Sequence, residues 1–162
     1  MQESAPAERR TRGLFTLLIV ENNADQWTTI RSTLAQSFPE AEPVWVIDSD
    51  QALCYLDQTA QTGKKLPQLI VQELYLPHRS DGYALIRAIK ARPFCRPIPV
   101  VVLSHSKQEG DILDAYDRGI ASFITKPAAD PEWLACFSTF RRYWLGSGTL
   151  PKQRTHSWPV SQ

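Results

Sequence analysis

The stretch QLIVQELYLP, residues 68–77, predicts a buried β-strand that ends on an acid and is followed by a proline. Its apolar run LIV is continuous rather than alternating, which is typical of a strand covered on both faces, as in a parallel sheet. Proline cannot donate to the hydrogen-bond ladder of a sheet, so the strand is expected to end before Pro77. Glu73 therefore lies at the carboxyl end of a buried strand, where open parallel sheets form their binding sites.

Four further apolar runs predict four further strands. They are LFTLLIV at residues 14–20, PVWVID at 43–48, IPVVVLS at 98–104 and ASFITK at 121–126. The segments between them carry apolar residues at helical spacing, as in Trp27, Ile30 and Leu34. Strands that alternate with helices predict right-handed βαβ units. The predicted fold class is therefore α/β, a doubly wound parallel sheet with helices on both faces.

The last predicted helix is unusually rich in aromatic residues. It is expected to start at Asp130 as the N-cap, with Pro131 at the first helical position. Phe140, Tyr143 and Trp144 are more than one buried face of a small domain requires, and large exposed aromatic residues mark interfaces. We therefore predict that these three residues belong to a protein interface.

Composition and charge limit the classes of function. Hydrophobic residues make up 43% of the 162 residues and charged residues 22%, which is typical of a globular domain. The formal net charge of +1 favours neither nucleic acid nor a membrane surface as a partner. The three cysteines form no CxxC pair, which favours a reducing cytoplasm over a disulfide framework or a zinc site. We expect one domain at residues 13–145, a disordered tail at 1–12 and a C-terminal tail at 146–162.

Polar residues follow the predicted strands at their carboxyl ends, which meet at one edge of a parallel sheet. They are Glu21 and Asn22 after the first strand, Glu73 after the third, Ser104 after the fourth, and Lys126 with Pro127 after the fifth. Carboxylate, amide, hydroxyl and ammonium groups are thus expected to converge on one site.

The motifs that carry these residues resemble the receiver domain of bacterial two-component response regulators over residues 15–144. They are LLIVENNAD at 17–25, PQLIVQELYLP at 67–77, DGYALIRAIK at 81–90, IPVVVLSHS at 98–106 and SFITKP at 122–127. PFCRPIPVVVLS at 93–104 and AYDRG at 115–119 resemble the small single-domain regulators that partner bacterial phytochromes and related histidine kinases. The resemblance implies a CheY-like, flavodoxin-like (βα)5 fold with strand order 2-1-3-4-5.

The resemblance also implies roles for individual residues. In the family, acids after the first strand help to bind magnesium and an aspartate after the third strand accepts phosphate. A hydroxyl, an aromatic residue and a lysine then stabilise and report the phosphoryl group. The matching positions are Glu21, Asn22 and Tyr75 in the metal pocket, Glu73 at the acceptor, Ser104 and Phe123 at the switch, and Lys126 before Pro127, with a cis peptide bond between these last two.

Some positions depart from the family pattern, and the turn PHRSDG at 77–82 is one residue longer than usual. Glu73 adds a methylene to the acceptor, which displaces the nucleophilic oxygen by about 1 Å and can lower the rate on the order of a hundredfold. Asn22 offers a neutral carbonyl in place of an acid, so Mg²⁺ is expected to bind weakly at best, and no other cofactor is expected. We predict a direct salt bridge from Lys126 to Glu73, and a loop-capping role for Ser104.

These departures predict a single-domain pseudo-receiver, a response-regulator-like protein of two-component signalling that is phosphorylation-defective and acts by protein–protein interaction rather than as an enzyme. The expected partners are a sensor histidine kinase or phytochrome-like kinase and a second copy of the chain, forming a homodimer. Glu73 then either only shapes its loop or imitates the phosphorylated state. Two alternatives stay open: a functional phosphoacceptor, and a flavodoxin-like enzyme or nucleotide binder, although neither GxGxxG nor GxxxxGK[ST] follows the first strand.

Overall fold

The structure is a computed structural model that describes residues 15–147. Within this range five β-strands alternate with five α-helices, and a π-helix follows the last α-helix. The bounds are β1 Phe15–Val20, α1 Ala24–Ser37, β2 Ala41–Val46, α2 Ser49–Gln61, β3 Leu69–Gln72, α3 Arg79–Ala91, β4 Val100–Ser104, α4 Glu109–Asp117, β5 Ser122–Thr125, α5 Asp130–Arg141 and the π-helix Arg142–Ser147. The tail predicted at 1–12 lies outside the described residues, and so does the predicted C-terminal tail from residue 148 onward.

The described strands form one parallel sheet in the order β2-β1-β3-β4-β5, which confirms the flavodoxin-like arrangement. Val20 at the end of β1 lies beside Val46 of β2 and Gln72 of β3. Gln72 in turn lies beside Val102 of β4. Because these strands end nearly level with one another, the residues that follow them meet at one edge of the sheet.

The sheet separates two apolar cores because successive side chains of a strand point to opposite faces. Leu18 and Val20 of β1 pack in the core formed with α2 and α3, whereas Leu17 and Ile19 pack in the core formed with α1 and α5. All four side chains are at most 1% exposed. The continuous apolar run of β1 thus reflects burial on both faces, as predicted. No helix within residues 15–147 is long and apolar enough to cross a membrane.

Gly82 determines where α3 begins over the loop that follows β3. A Cβ atom at this position would lie 1.9 Å from the carbonyl oxygen of Leu74, so any other residue would push the helix away from that loop. Gln72 Nε2 also donates to the carbonyl oxygen of Gly82 at 3.1 Å. The loop after β3 is therefore held between the end of its own strand and the first turn of α3.

The N-cap predicted for the last helix was wrong by one residue. Ala129 occupies the N-cap of α5, and Asp130 and Pro131 are the first two residues of the helix. An acid in the first turn also interacts favourably with the helix dipole, so the pattern Asp-Pro does not by itself separate the two positions.

The cis peptide bond predicted before Pro127 was also wrong. Among the described residues, the cis bond joins Leu76 to Pro77. Any bond that precedes a proline tolerates the cis form, because the preference for trans is only about 0.5–1 kcal/mol. The motif at Lys126 and Pro127 therefore did not decide which bond takes it.

Candidate functional site

An open pocket of about 600 Å³ lies at the carboxyl edge of the sheet. Its lining comes from the loops after β1, β3 and β4 and from the residue after β5. The predicted site residues in this lining are Glu21, Asn22, Glu73, Tyr75, Ser104 and Lys126. Phe123 and Pro127 do not line it. The chain thus brings most of the predicted site together at the position expected for a doubly wound sheet.

Lys126 lies between two carboxylates at the base of the pocket. Its Nζ atom is 2.6 Å from Glu73 Oε2 and 2.9 Å from Glu21 Oε2. The three side chains are between 2% and 6% exposed, so little water screens them. The salt bridge predicted from Lys126 to Glu73 is confirmed, and Glu21 is a second partner. One buried cation therefore balances two buried acids.

The second oxygen of Glu73 is bound by the backbone of its own loop. Glu73 Oε1 accepts hydrogen bonds from the amides of Leu74 at 2.9 Å and Tyr75 at 3.1 Å. The extra methylene of glutamate lets the carboxylate fold back over the two residues that follow it. With Oε2 bound to Lys126, both oxygens are engaged, and Glu73 is only 5% exposed.

Glu21 is held by Lys126 and by the start of α1. Its Oε1 accepts from the amide of Asn23 at 3.1 Å, and Asn23 in turn caps α1 by accepting from the amide of Gln26 at 3.0 Å. Burial raises the pKa of the Glu21 carboxyl, the charge of Glu73 adds to that rise, and Lys126 opposes it. Because the folded state then holds the proton more tightly than the unfolded state does, the contribution of Glu21 to stability falls as the pH rises through the raised pKa.

The oxygens that a magnesium ion would use in this pocket already have hydrogen-bond partners within the protein. Mg²⁺ requires near-octahedral oxygen ligands, yet the oxygens of Glu21 and Glu73 already accept from Lys126 and from backbone amides. Asn22 Nδ2 donates to the carbonyl oxygen of Tyr75 at 3.2 Å, so that carbonyl is engaged as well. Among residues 15–147, no group of three or more His, Cys, Asp and Glu side chains is placed to hold a metal ion.

The two switch positions lie in different surroundings. Ser104 is fully buried, and its Oγ accepts from the amide of Ser106 at 3.3 Å, which confirms the loop-capping role predicted for it. Phe123 is half-buried and packs against the core beside α2 and α3. Its backbone amide donates to the Tyr116 hydroxyl of α4 at 3.1 Å. A switching role for Phe123 stays a prediction.

Asp111 of α4 is a buried acid beside the pocket that sequence reasoning missed. Its Oδ2 accepts from Ser106 Oγ at 2.6 Å and from the Tyr75 hydroxyl at 2.8 Å, and its Oδ1 accepts from Arg79 at 3.1 Å. The hydrogen bond from Ser106 is the main cause of the lowered pKa of Asp111. The hydrogen bonds from Tyr75 and Arg79 lower this pKa further, whereas burial raises it. Tyr75 and Arg79 lie 36 and 32 residues away in sequence, so no local pattern could have revealed the cluster.

The predicted aromatic interface is only partly exposed. Phe140 is 6% exposed and its ring meets that of Phe137 edge-on, at 5.6 Å between centroids, so its assignment to an interface was wrong. Tyr143 is 54% exposed. Trp144 is partly buried against the core beside α5 and meets the Tyr143 ring edge-on at 4.7 Å. Of the three candidates, Tyr143 offers the most surface to a partner.

Comparisons with known proteins agree with this geometry. The family described as "Response regulator receiver domain" matches residues 17–137. The probable methanogenesis regulatory protein FilR2 of Methanothrix harundinacea is 32% identical over 138 residues, which cover 85% of this chain and 88% of that protein.

Two further response regulators, RcpA and Rcp1, are similar in sequence and structure. The crystal structure of the phosphorylated cyanobacterial phytochrome response regulator RcpA superposes with a TM-score of 0.76 and 34% identity, over 86% of this chain and 99% of that one. The response regulator Rcp1 of Synechocystis is 28% identical over 136 residues, 83% of this chain and 92% of that protein. The structure of the Mn²⁺-bound form of Rcp1 superposes with a TM-score of 0.72, over 85% of this chain and 99% of that one.

Proposed function

This chain belongs to the response regulator receiver family, and we propose that it acts in two-component signalling as a receiver that does not accept phosphate and works by protein contact. The observation that carries the proposal is the carboxylate of Glu73. One of its oxygens binds Lys126 and the other binds two amides of its own loop. In that arrangement both oxygens of the acceptor-position carboxylate are already bound within the protein.

The electrostatics of the pocket support the same proposal. Phosphoryl transfer depends on an in-line nucleophile and on cations that neutralise the charge developing on the phosphoryl oxygens. Lys126 is already shared between Glu21 and Glu73, and Asn22 donates to the carbonyl of Tyr75. The groups that would receive a phosphoryl group and a metal ion are therefore bound to one another.

The contacts of Ser104 favour a structural role for Glu73 over imitation of the phosphorylated state. A carboxylate that imitated a phosphoryl group would be expected to bind the switch hydroxyl. Among the described contacts, the Ser104 hydroxyl oxygen accepts from Ser106, and Glu73 bonds to its own loop and to Lys126. We propose that Glu73 fixes the loop after β3 in one arrangement.

Incubation with acetyl phosphate and millimolar Mg²⁺ should leave the intact mass of the protein unchanged. The expected rate of phosphorylation is lower than that of an aspartate acceptor by a factor on the order of a hundred or more. The extra methylene displaces the Glu73 carboxylate, and both of its oxygens are already bound to Lys126 or to backbone amides. RcpA is a suitable positive control, since its structure is of a phosphorylated protein. A stoichiometric adduct located at Glu73 by peptide mapping would refute the proposal and establish the protein as a functional phosphoacceptor.

The proposed partners are a histidine kinase, of the kind served by phytochrome response regulators, and a second copy of this chain. The similarity to RcpA, a phytochrome response regulator, supports the first. Exposed Tyr143 and Leu145 on the π-helix support the second, since large exposed apolar side chains are enriched at interfaces. On this proposal the protein is not an enzyme, binds neither nucleic acid nor membrane, and works in the cytoplasm.

Replacing Tyr143 by alanine should halve the mass of the particle measured by light scattering, because Tyr143 is the most exposed residue of the predicted interface. Leu113→Ala is the matched control, since Leu113 is a large side chain that is similarly exposed, at 55%, but lies on α4. A mass that stays the same in Tyr143→Ala would remove the π-helix from the interface. A mass that falls only in Leu113→Ala would place the interface on α4.

A further inference from the structure

We propose that a hydrogen-bonded cluster of four residues, here called the clasp, holds α4 against the domain. Its members are Tyr75, Arg79, Ser106 and Asp111. Because Tyr75 also binds Glu73, the position of α4 depends on the side chain of Glu73. The proposal goes beyond the proposed function because it concerns how one loop positions a helix, whether or not the protein accepts phosphate. It assigns Tyr75 and Asp111 as positioning residues.

Apolar burial alone does little to hold α4. The helix has only nine residues, of which Asp111 and Ala115 are buried. Leu113 and Tyr116 are 55% and 44% exposed. A helix of this length gains most of its stability from tertiary packing. Since one of its two buried residues is an acid, polar contacts must supply much of what holds α4 to the domain.

The clasp supplies those contacts from three separate segments. The Asp111 carboxylate accepts from Tyr75 in the loop after β3, from Arg79 at the start of α3 and from Ser106 in the loop before α4. The Tyr83 hydroxyl of α3 donates to the backbone carbonyl of Asp111 at 3.1 Å. Asp111 is fully buried, so each lost donor leaves a desolvated charge less well satisfied.

Tyr75 is bound at both ends. Its backbone amide donates to Glu73 Oε1 at 3.1 Å and its backbone carbonyl accepts from Asn22 at 3.2 Å. Its hydroxyl donates to Asp111 at 2.8 Å. A change in the side chain of Glu73 therefore displaces a residue whose far end holds α4.

This connection reaches α4 through Tyr75 rather than through the switch positions that the family resemblance implied. Phe123 has no hydroxyl group, so its side chain cannot respond to Ser104 through a hydrogen bond. Ser104 instead accepts from the amide of Ser106, and the hydroxyl of Ser106 belongs to the clasp. The loop before α4 and the loop after β3 thus converge on Asp111.

The test is amide hydrogen exchange of α4, measured by mass spectrometry on the full chain and normalised to α5. Tyr75→Phe removes one oxygen atom and Asp111→Asn removes the charge. Either variant should speed the exchange of α4 about tenfold, because each weakens hydrogen bonds to a buried carboxylate. Exchange of α5 should stay within about twofold.

Matched controls separate the clasp from a general effect of each substitution. Asp114→Asn changes an exposed acid of the same helix, and Tyr55→Phe removes a hydroxyl that has no described hydrogen bond. Both should leave α4 exchange within about twofold of wild type. If Tyr75→Phe, the mildest change, does the same, the clasp does not hold α4 and the proposal is overturned.

A second comparison tests the dependence on Glu73. Glu73→Ala should speed α4 exchange about tenfold in the wild-type background but only about twofold when Tyr75 is already phenylalanine, because both changes act on one connection. Fully additive effects would overturn the link through Tyr75. Failure of the proposed function would show instead as a phosphoryl adduct, which this experiment does not measure.

Discussion

Replacing Lys126 by methionine should lower the free energy of unfolding by about 3–5 kcal/mol near pH 7. Methionine keeps most of the buried length of the side chain but removes the charge that lies 2.6 Å from Glu73 and 2.9 Å from Glu21. Both carboxylates would then be buried without a cation, at sites where they are no more than 6% exposed. Urea unfolding followed by tryptophan fluorescence measures the loss.

The loss should depend on pH in a defined direction. Burial already raises the pKa of Glu21, so lowering the pH through that raised pKa protonates Glu21 and removes one of the two unpaired charges. The difference in stability between variant and wild type therefore becomes smaller at acidic pH. Lys64→Met is the control, because Lys64 is exposed and its replacement should change stability by no more than about 0.5 kcal/mol. A loss for Lys126→Met as small as that of the control would show that the pocket adapts to the missing charge.

The fold could be predicted from the sequence because its signals are local. Continuous apolar runs such as residues 17–20 identify strands buried on both faces, and alternation with helical segments implies a parallel sheet. The strand order was not local information; it came from the resemblance to receiver domains. The loop residues Glu21, Glu73 and Lys126 followed from the rule that parallel strands present their carboxyl ends to one edge.

One failure of prediction occurred where contacts depend on distant parts of the chain. Asp111 looks in sequence like an ordinary acid in the first turn of a helix, and only the folded chain brings Tyr75 and Arg79 to it. Phe140 was misassigned for a different reason. Its spacing from Trp133 and Phe137 places it on the same face of α5, and that face is the buried one.

Combining Asn22→Asp with Glu73→Asp should raise the rate of phosphorylation by acetyl phosphate and Mg²⁺ by about a hundredfold or more over wild type. Aspartate at position 73 is one methylene shorter, so its carboxylate can no longer fold back onto both loop amides that Glu73 binds. Aspartate at position 22 has no amide to donate to the Tyr75 carbonyl and adds an anionic oxygen ligand for Mg²⁺. The rate is measured as the appearance of the phosphorylated species by intact mass.

The single variants and one neighbour show which change restores the reaction. Glu73→Asp alone should recover a suitable nucleophile but still bind Mg²⁺ weakly, so its rate should lie between those of wild type and the double variant and rise with added Mg²⁺. Asn23→Asp is the matched control for Asn22→Asp, because it adds the same charge one residue away while aspartate still caps α1. A double variant as inert as wild type would mean that the engaged oxygens of Glu73 and Tyr75 do not prevent phosphorylation. The obstacle would then lie in Lys126, whose ammonium group also binds Glu21 Oε2 at 2.9 Å in the wild-type protein.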